Sequence, residues 1–268
     1  MPTPLKNYLD HLNLPLGILP AVSDTYKAMN FRIVLIDNSS SMSTIDSHLM
    51  KADCNFERIE KTDKVSRWNE LSQCIKFHAK MAARCWIPTK FRLVNEHEGM
   101  PKELGICWGK PEDARAERNE VINAIKNAKL DANVNPLASE IRQIETALSG
   151  EADKLKQKDG FAAVIICSHG VPTDETGDTV KSVIKDFVES IMSLAQLPVR
   201  ITFRLCTGND KVVDFFGLME AEIACDVLQD YWGEVRTDGI KCHCKHVFLL
   251  LLQTSLLVTY TGVKSVFA

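Results

Sequence analysis

The run Phe31-Arg32-Ile33-Val34-Leu35-Ile36-Asp37-Asn38-Ser39-Ser40-Ser41-Met42 decides how the rest of the chain is read. Its first half is a nearly continuous apolar stretch of strand length, the pattern of a strand buried on both faces of a sheet. It ends abruptly in Asp-x-Ser-x-Ser, so the Asp37 carboxylate and the Ser39 and Ser41 hydroxyls leave the strand at alternate positions. On a loop such positions can curl around one point, and three hard oxygen donors at one point define a cation site. Mg²⁺ suits that set, because it takes oxygen ligands in octahedral geometry, keeps several waters and needs only one or two protein carboxylates. The same residue types also cap helices and close Asx-turns, a use that needs no ion.

The run resembles the metal-ion-dependent adhesion site of the von Willebrand factor A (vWA) domain family, and the resemblance extends over about residues 31–234. It implies a three-layer, Rossmann-like α/β fold: a mostly parallel central sheet with one antiparallel edge strand and helices on both faces. It also implies a second loop that supplies a Thr ligand and a third that supplies an Asp. The matching second loop is Asn135-Pro136-Leu137, with Asn in the Thr position. The third is Cys167-Ser168-His169-Gly170 after an apolar strand, with His169 in the Asp position. The implied ligand set is therefore Asp37, Ser39, Ser41, Asn135 and His169, with Mg²⁺ as the ion and Mn²⁺ or no metal as alternatives. An imidazole in place of a carboxylate removes negative charge and offers a nitrogen better suited to Zn²⁺ or Cu²⁺, so a weakened, altered or empty site is expected. In the family a partner's carboxylate often supplies the last ligand, which implies a protein partner recognised through an acidic side chain.

Composition bounds the rest. With 268 residues, 45% of them hydrophobic and 25% charged, the chain has material for one large α/β domain plus tails. A net charge of -3, with Lys and Glu interspersed, provides no basic field for nucleic acid. Nine cysteines, and an N-terminus without the charged start and apolar core of a secretory signal, point to a reducing, cytoplasmic setting. The expected organisation is an N-terminal arm at 1–27, a vWA-like domain at 28–240 and a Cys/His-containing hydrophobic tail at 241–268.

Within the domain, apolar periodicity predicts alternating strands and helices. Residues 43–64 are polar and long for a connection, which reads as an insertion beside the site. Residues 66–85 carry Trp68, Leu71, Ile75, His78, Met81 and Cys85 on one helical stripe. Strands are expected at 91–94 and 104–108, then a charged helix at 111–129 and a second helix in which Leu137, Ile141, Ile144 and Leu148 repeat before Gly150. A buried strand at 161–167 precedes a helix capped by Asp178 or Thr179, a strand at 199–205 and a closing helix at 218–231. In such parallel sheets, ligand sites gather at the carboxyl ends of the strands.

Two further constellations compete for a function. His169 and Cys206 each follow an apolar strand, as the dyad of a caspase-like Cys-His hydrolase would, although the Gln-Ala-Cys context of those enzymes is absent. Cys242-His243-Cys244-Lys245-His246 is rich in soft ligands but lacks the paired spacing of structural zinc sites. The apolar segment behind it approaches bilayer length, yet Gln253, Thr254, Ser255, Thr259 and Thr261 dilute it, so a membrane anchor is the alternative to a packed terminal element. The expected function is an intracellular protein-interaction module, metal-assisted through Asp37, Ser39 and Ser41, with no catalysis of its own. A metal-free structural vWA domain and the Cys-His hydrolase are the alternatives.

Overall fold

In the computed structural model, which describes residues 6–7, 19–52 and 59–230, Met29–Ile36 forms strand β1 and is buried from Arg32 onward. Its continuous apolar run is accounted for by parallel neighbours on both sides: β4 (Thr89–Leu93) and β6 (Phe161–Ser168). Beyond β6, strands β7 (Val199–Leu205) and β8 (Cys225–Leu228) continue the parallel sheet, while β5 (Glu103–Ile106) pairs antiparallel with β4 at the opposite edge. The spatial order is β5-β4-β1-β6-β7-β8, the mostly parallel sheet with one antiparallel edge strand that the sequence predicts. Ile36 lies level with Leu93 on one side and Cys167 on the other, so Asp37, Val94 and Ser168 leave the sheet at the same height.

Helices cover both faces. Against one face lie α1 (Leu19–Ala28), α2 (Arg67–Cys85) and α3 (Ala114–Asn127); Val22, Leu71, Ile75, Val121 and Ile125 meet Val34, Ile36, Ala163 and Ile165 there. Against the other lie α4 (Leu137–Ser149), α5 (Ala152–Gln157), α6 (Lys181–Leu194) and α7 (Asp210–Glu222), packed on Ile33, Leu35, Val164, Ile166 and Phe203. The alternation is that of a strand with period two: on β6, Ala163, Ile165 and Cys167 face one helical layer, and Ala162, Val164 and Ile166 the other.

Helix α2 illustrates how local sequence meets packing. The Ser66 hydroxyl accepts from the Asn69 N–H at its start, and all six residues of the predicted stripe are buried. It ends where Trp86 adopts a left-handed conformation, φ 55°, and returns its N–H to the Ala82 carbonyl. Each fully buried apolar side chain of that stripe contributes about 1.5–3 kcal/mol relative to exposure.

Four elements differ from the sequence expectation. The last third of the stretch read as an arm forms α1, with Val22 in the core and Tyr26 donating to the Cys85 carbonyl at 2.8 Å. The polar connection after β1 takes the form of an antiparallel hairpin, β2 (Ile45–Ala52) and β3 (Ile59–Ser66), separate from the main sheet and pinned at its base by Arg67 on Asp46. The closing helix begins earlier, at Asp210, because Asn209 caps it through the Lys211 N–H; the chain then turns back as β8. Neither Asp178 nor Thr179 caps α6: Thr179 donates to the Pro172 carbonyl and Asp178 accepts from Thr176, so both are spent within the preceding loop.

The tail at 241–268, with its Cys/His segment and the membrane-anchor alternative, lies outside the described residues. Among the described residues, no helix is long and apolar enough to cross a membrane.

Candidate functional site

The first loop leaves β1 at Asp37, whose side chain is fully buried. Asp37 Oδ1 accepts from the Ser39 N–H at 2.9 Å, closing an Asx-turn. From the end of β6, Asp37 Oδ2 accepts the Ser168 hydroxyl at 2.9 Å and the His169 N–H at 3.3 Å, and it lies 2.6 Å from His169 Nδ1. His169 Nδ1 is also 3.5 Å from Ser39 Oγ. From the segment before α4, Asn135 Nδ2 donates to Ser168 Oγ at 3.1 Å, while its Oδ1 is buried with no hydrogen-bond partner among the described residues. Asp37, Ser39, Asn135 and His169 are thus brought together. Ser41 sits one turn further on, in the 3-10 turn Ser40–Ser43, half-buried, and its hydroxyl bonds to none of them.

The site's hub is Ser168, which the sequence reading passed over; its hydroxyl joins the Asp37 carboxylate to the Asn135 amide. Asn135 itself does not cap α4 with its side chain, as the Asn-Pro order would suggest; it is held by Thr173, whose hydroxyl accepts the Asn135 N–H at 2.7 Å and whose N–H returns to the Asn135 carbonyl at 3.1 Å. The loop that carries Thr173 approaches this segment so closely that a Cβ on Gly177, at φ +91°, would lie 2.9 Å from the Asn133 carbonyl oxygen. On the other flank, Asn38 Oδ1 accepts from the Asn95 N–H at 2.8 Å and Asn38 Nδ2 donates to the Asn95 carbonyl at 3.0 Å. His97 Nε2 lies 2.7 Å from Asn38 Nδ2. Asn95 Nδ2 reaches the Val134 carbonyl at 3.0 Å, which fixes the end of β4 to the same segment as Asn135. The one legible signal for this flank is position: Asn38 and Asn95 are the polar residues just past two apolar strands.

Burial alone would raise the Asp37 pKa, but the hydrogen bond and charge of His169, together with Ser39, outweigh it and hold the carboxyl below its ordinary range. Beneath the site the chemistry is different. Cys167 and Cys206 are buried thiols whose pKa burial pushes well up, and Cys206 Sγ points to the Arg204 carbonyl at 3.7 Å. An activated thiol needs the opposite shift and an imidazole in reach. The His169 ring nitrogen that faces the site is engaged with Asp37 instead.

Whether these residues suit a divalent cation follows from the Asp37 lone pairs. An ionised carboxylate offers about four lone-pair positions. Three of the donors in place, the Ser168 hydroxyl, the His169 N–H and the His169 ring, crowd Oδ2, while the Ser39 N–H takes one position on Oδ1 and leaves the other open. The remaining oxygens, the Ser39 and Ser41 hydroxyls and Asn135 Oδ1, are neutral, and a neutral shell binds Mg²⁺ weakly. As placed, the residues offer Mg²⁺ or Mn²⁺ a single open carboxylate position and otherwise neutral oxygens, with the His169 ring against Oδ2, a poor fit for either ion. Among the described residues, no group of three or more His, Cys, Asp or Glu side chains is placed to hold an ion.

No protein-family model and no curated protein sequence matches the chain. Among solved structures, the pilus adhesin SpaC from Lactobacillus rhamnosus GG is similar at a TM-score of 0.53 and 9% identity, over 86% of this chain and 30% of that one. A single-residue mutant of the PilB minor pilin from Streptococcus sanguinis is similar at 0.50 and 12% identity, over 89% of this chain and 63% of that one. The SpRpn10 VWA domain is 10% identical at a TM-score of 0.45, over 82% of this chain and 94% of that one, a level too low to carry a fold assignment. The chain spans less than two thirds of the length of the adhesin and the pilin. At these identities the likeness concerns the fold alone: a Rossmann-like α/β domain.

Proposed function

We propose that the chain is a vWA-like protein-interaction module that meets its partner at the C-terminal edge of the sheet. The observation that carries this reading is the convergence of three loops, through Asp37 and Ser39, Asn135, and Ser168 and His169, at the edge where open parallel sheets hold their ligands. The Asp37 bonds to Ser168 and His169 and the Asn135 bond to Ser168 tie one loop to another, so the edge is preorganised. The name of the SpaC structure, a pilus adhesin, is in keeping with an interaction role on such a scaffold. The partner group expected is an acidic side chain, met by the imidazole edge of His169 and the hydroxyl of Ser41, both of which are part-exposed. No metal takes part in this reading.

The test uses the full chain as bait beside Ser41→Trp, which adds bulk at the mouth of the site without touching the Asp37 network. A partner retained by the wild type is purified, its affinity for both baits is measured, and its Asp and Glu residues are replaced singly by Ala. Loss of binding in Ser41→Trp and in one acidic variant of the partner is expected. Equal affinity for the two baits sinks the reading.

A further inference from the structure

We propose that the His169 imidazole takes the place of the cation in this loop arrangement, so that the strand-end site is a metal-independent one that a single residue separates from a cation site. His169 Nδ1 lies between the two groups that the sequence assigns to an ion, 2.6 Å from Asp37 Oδ2 and 3.5 Å from Ser39 Oγ. There it does what a bridging ion would do mechanically: it ties the loop after β1 to the loop after β6, with a hydrogen bond to an ionised group, the stronger kind. It also occupies the Oδ2 side of the carboxylate, the side that faces the loop after β6. A cation and the ring therefore compete for one position, and the ring is covalently present at a high effective concentration.

The rest of the pocket remains compatible with oxygen ligation. Asn135 Oδ1 is a buried acceptor without a donor among the described residues, and the Ser39 and Ser41 hydroxyls stand on the same loop. Replacing His169 by Asp removes the competitor, relieves Asp37 Oδ2 of its shortest contact and adds a second carboxylate. That completes an all-oxygen set with the charge a hard cation requires. The inference rests on the strand-end site being the working surface proposed above, but its test needs no partner, so either can fail alone.

The full chain, stripped of metal with a chelator, is titrated with Mg²⁺ and with Mn²⁺ while the backbone amides of Asp37, Ser39 and His169 and the thermal midpoint are followed. In the wild type no saturable change is expected at these amides, and the midpoint should not move between chelator and millimolar Mg²⁺. In His169→Asp, saturable Mg²⁺ shifts, local Mn²⁺ broadening and a midpoint that rises with Mg²⁺ and falls back on chelation are expected. Saturable Mg²⁺ shifts at these amides in the wild type overturn the inference. So does a folded His169→Asp that responds to neither ion. Should that variant fail to fold, His169→Ser, which removes the ring and adds one oxygen, takes its place: local, saturable Mn²⁺ broadening is expected, and its absence counts against the inference in the same way.

Discussion

On one face of the sheet, against α4, α6 and α7, Phe187, Phe203, Phe215 and Phe216 gather with ring centroids 4.9–6.5 Å apart. On the other, against α2 and α3, the packing admits Arg32, Glu70, His78 and Arg204, all buried. A single strand serves both faces: Ile201, Phe203 and Leu205 of β7 point to the aromatic layer, while Thr202 and Arg204 alternate with them, and Arg204 pairs with Glu70 of α2. The difference teaches what each layer is for. The four rings are held by area and ring contacts, and the charge this face carries, Glu140 against Arg92 and Lys102, lies out at the β4 edge. The other face keeps charges that are tolerable only while every partner stays in place. At its upper end lies the Asp37 carboxylate, so the polar layer and the candidate site form one electrostatic neighbourhood; Glu70, Arg204 and Asp37 all act on the Cys206 thiol.

The largest effects should come from breaking each layer in turn. Phe203→Ala is expected to cost about 3–5 kcal/mol, because it leaves a cavity beside the Phe187 and Phe216 rings. Glu70→Ala is expected to cost about 3–5 kcal/mol as well, but for a different reason: it strands the Arg204 guanidinium in the core. The two differ in how they can be repaired. Replacing both partners, Glu70→Leu with Arg204→Met, should recover much of the loss, and urea denaturation of the single and double variants measures it. A double variant no more stable than Glu70→Ala would mean that the pair does more than neutralise itself.

A smaller effect is expected at the site. Asp37→Asn at neutral pH should cost about 1–3 kcal/mol, since it takes the charged acceptor away from four donors. Because the folded carboxyl sits below its ordinary range, its contribution is complete above the unfolded value of about 4 and is lost as pH falls through the folded value. The gap between wild type and Asp37→Asn should therefore hold constant down to about pH 4 and close only below it. A gap that closed at higher pH would contradict an ionised, hydrogen-bonded Asp37.

The smallest effect belongs to His78, whose pKa burial pushes well down, with the charges of Arg32 and Arg204 adding to the shift. It is neutral in the fold but takes a proton in the unfolded chain below about pH 6.5, so stability should decline there by up to about 1.4 kcal/mol per pH unit. His78→Leu should flatten that stretch of the profile, measured by denaturant midpoint against pH. An unchanged slope would place the decline elsewhere.

The parts of the fold visible in the sequence are those in which one face or both are apolar. The unbroken runs of β1 and β6 and the stripe of α2 follow from period alone. Strand β8 is hidden, because four residues are too few to show a period and they read on from the helix before them. The hairpin β2–β3 is hidden for another reason: it stands off the main sheet, so its residues carry no core pattern. At the site, Asp37, Ser39 and His169 are legible because the loops after parallel strands converge, whatever their residues, and Asn135, which follows no strand, only through the family resemblance. What they do there is not. That His169 turns to Asp37, that Ser168 sits between Asp37 and Asn135, and that Asn38 pairs with Asn95 depend on hydrogen-bond geometry across loops, for which one-dimensional spacing has no counterpart.

Asp37 and His169 are 132 residues apart in the chain, and the central strand β1 waits for β6 before its second edge is covered. During synthesis from the N-terminus, everything up to α3 can emerge while half of β1 still has no neighbour, a row of unpaired N–H and C=O groups flanked by apolar side chains. Contacts of such long range form slowly, because a large loop must close first. The candidate site therefore waits for β6 although its first loop is made early, and a truncated product ending before β6 would display the complete Asp-x-Ser-x-Ser loop on an aggregation-prone edge.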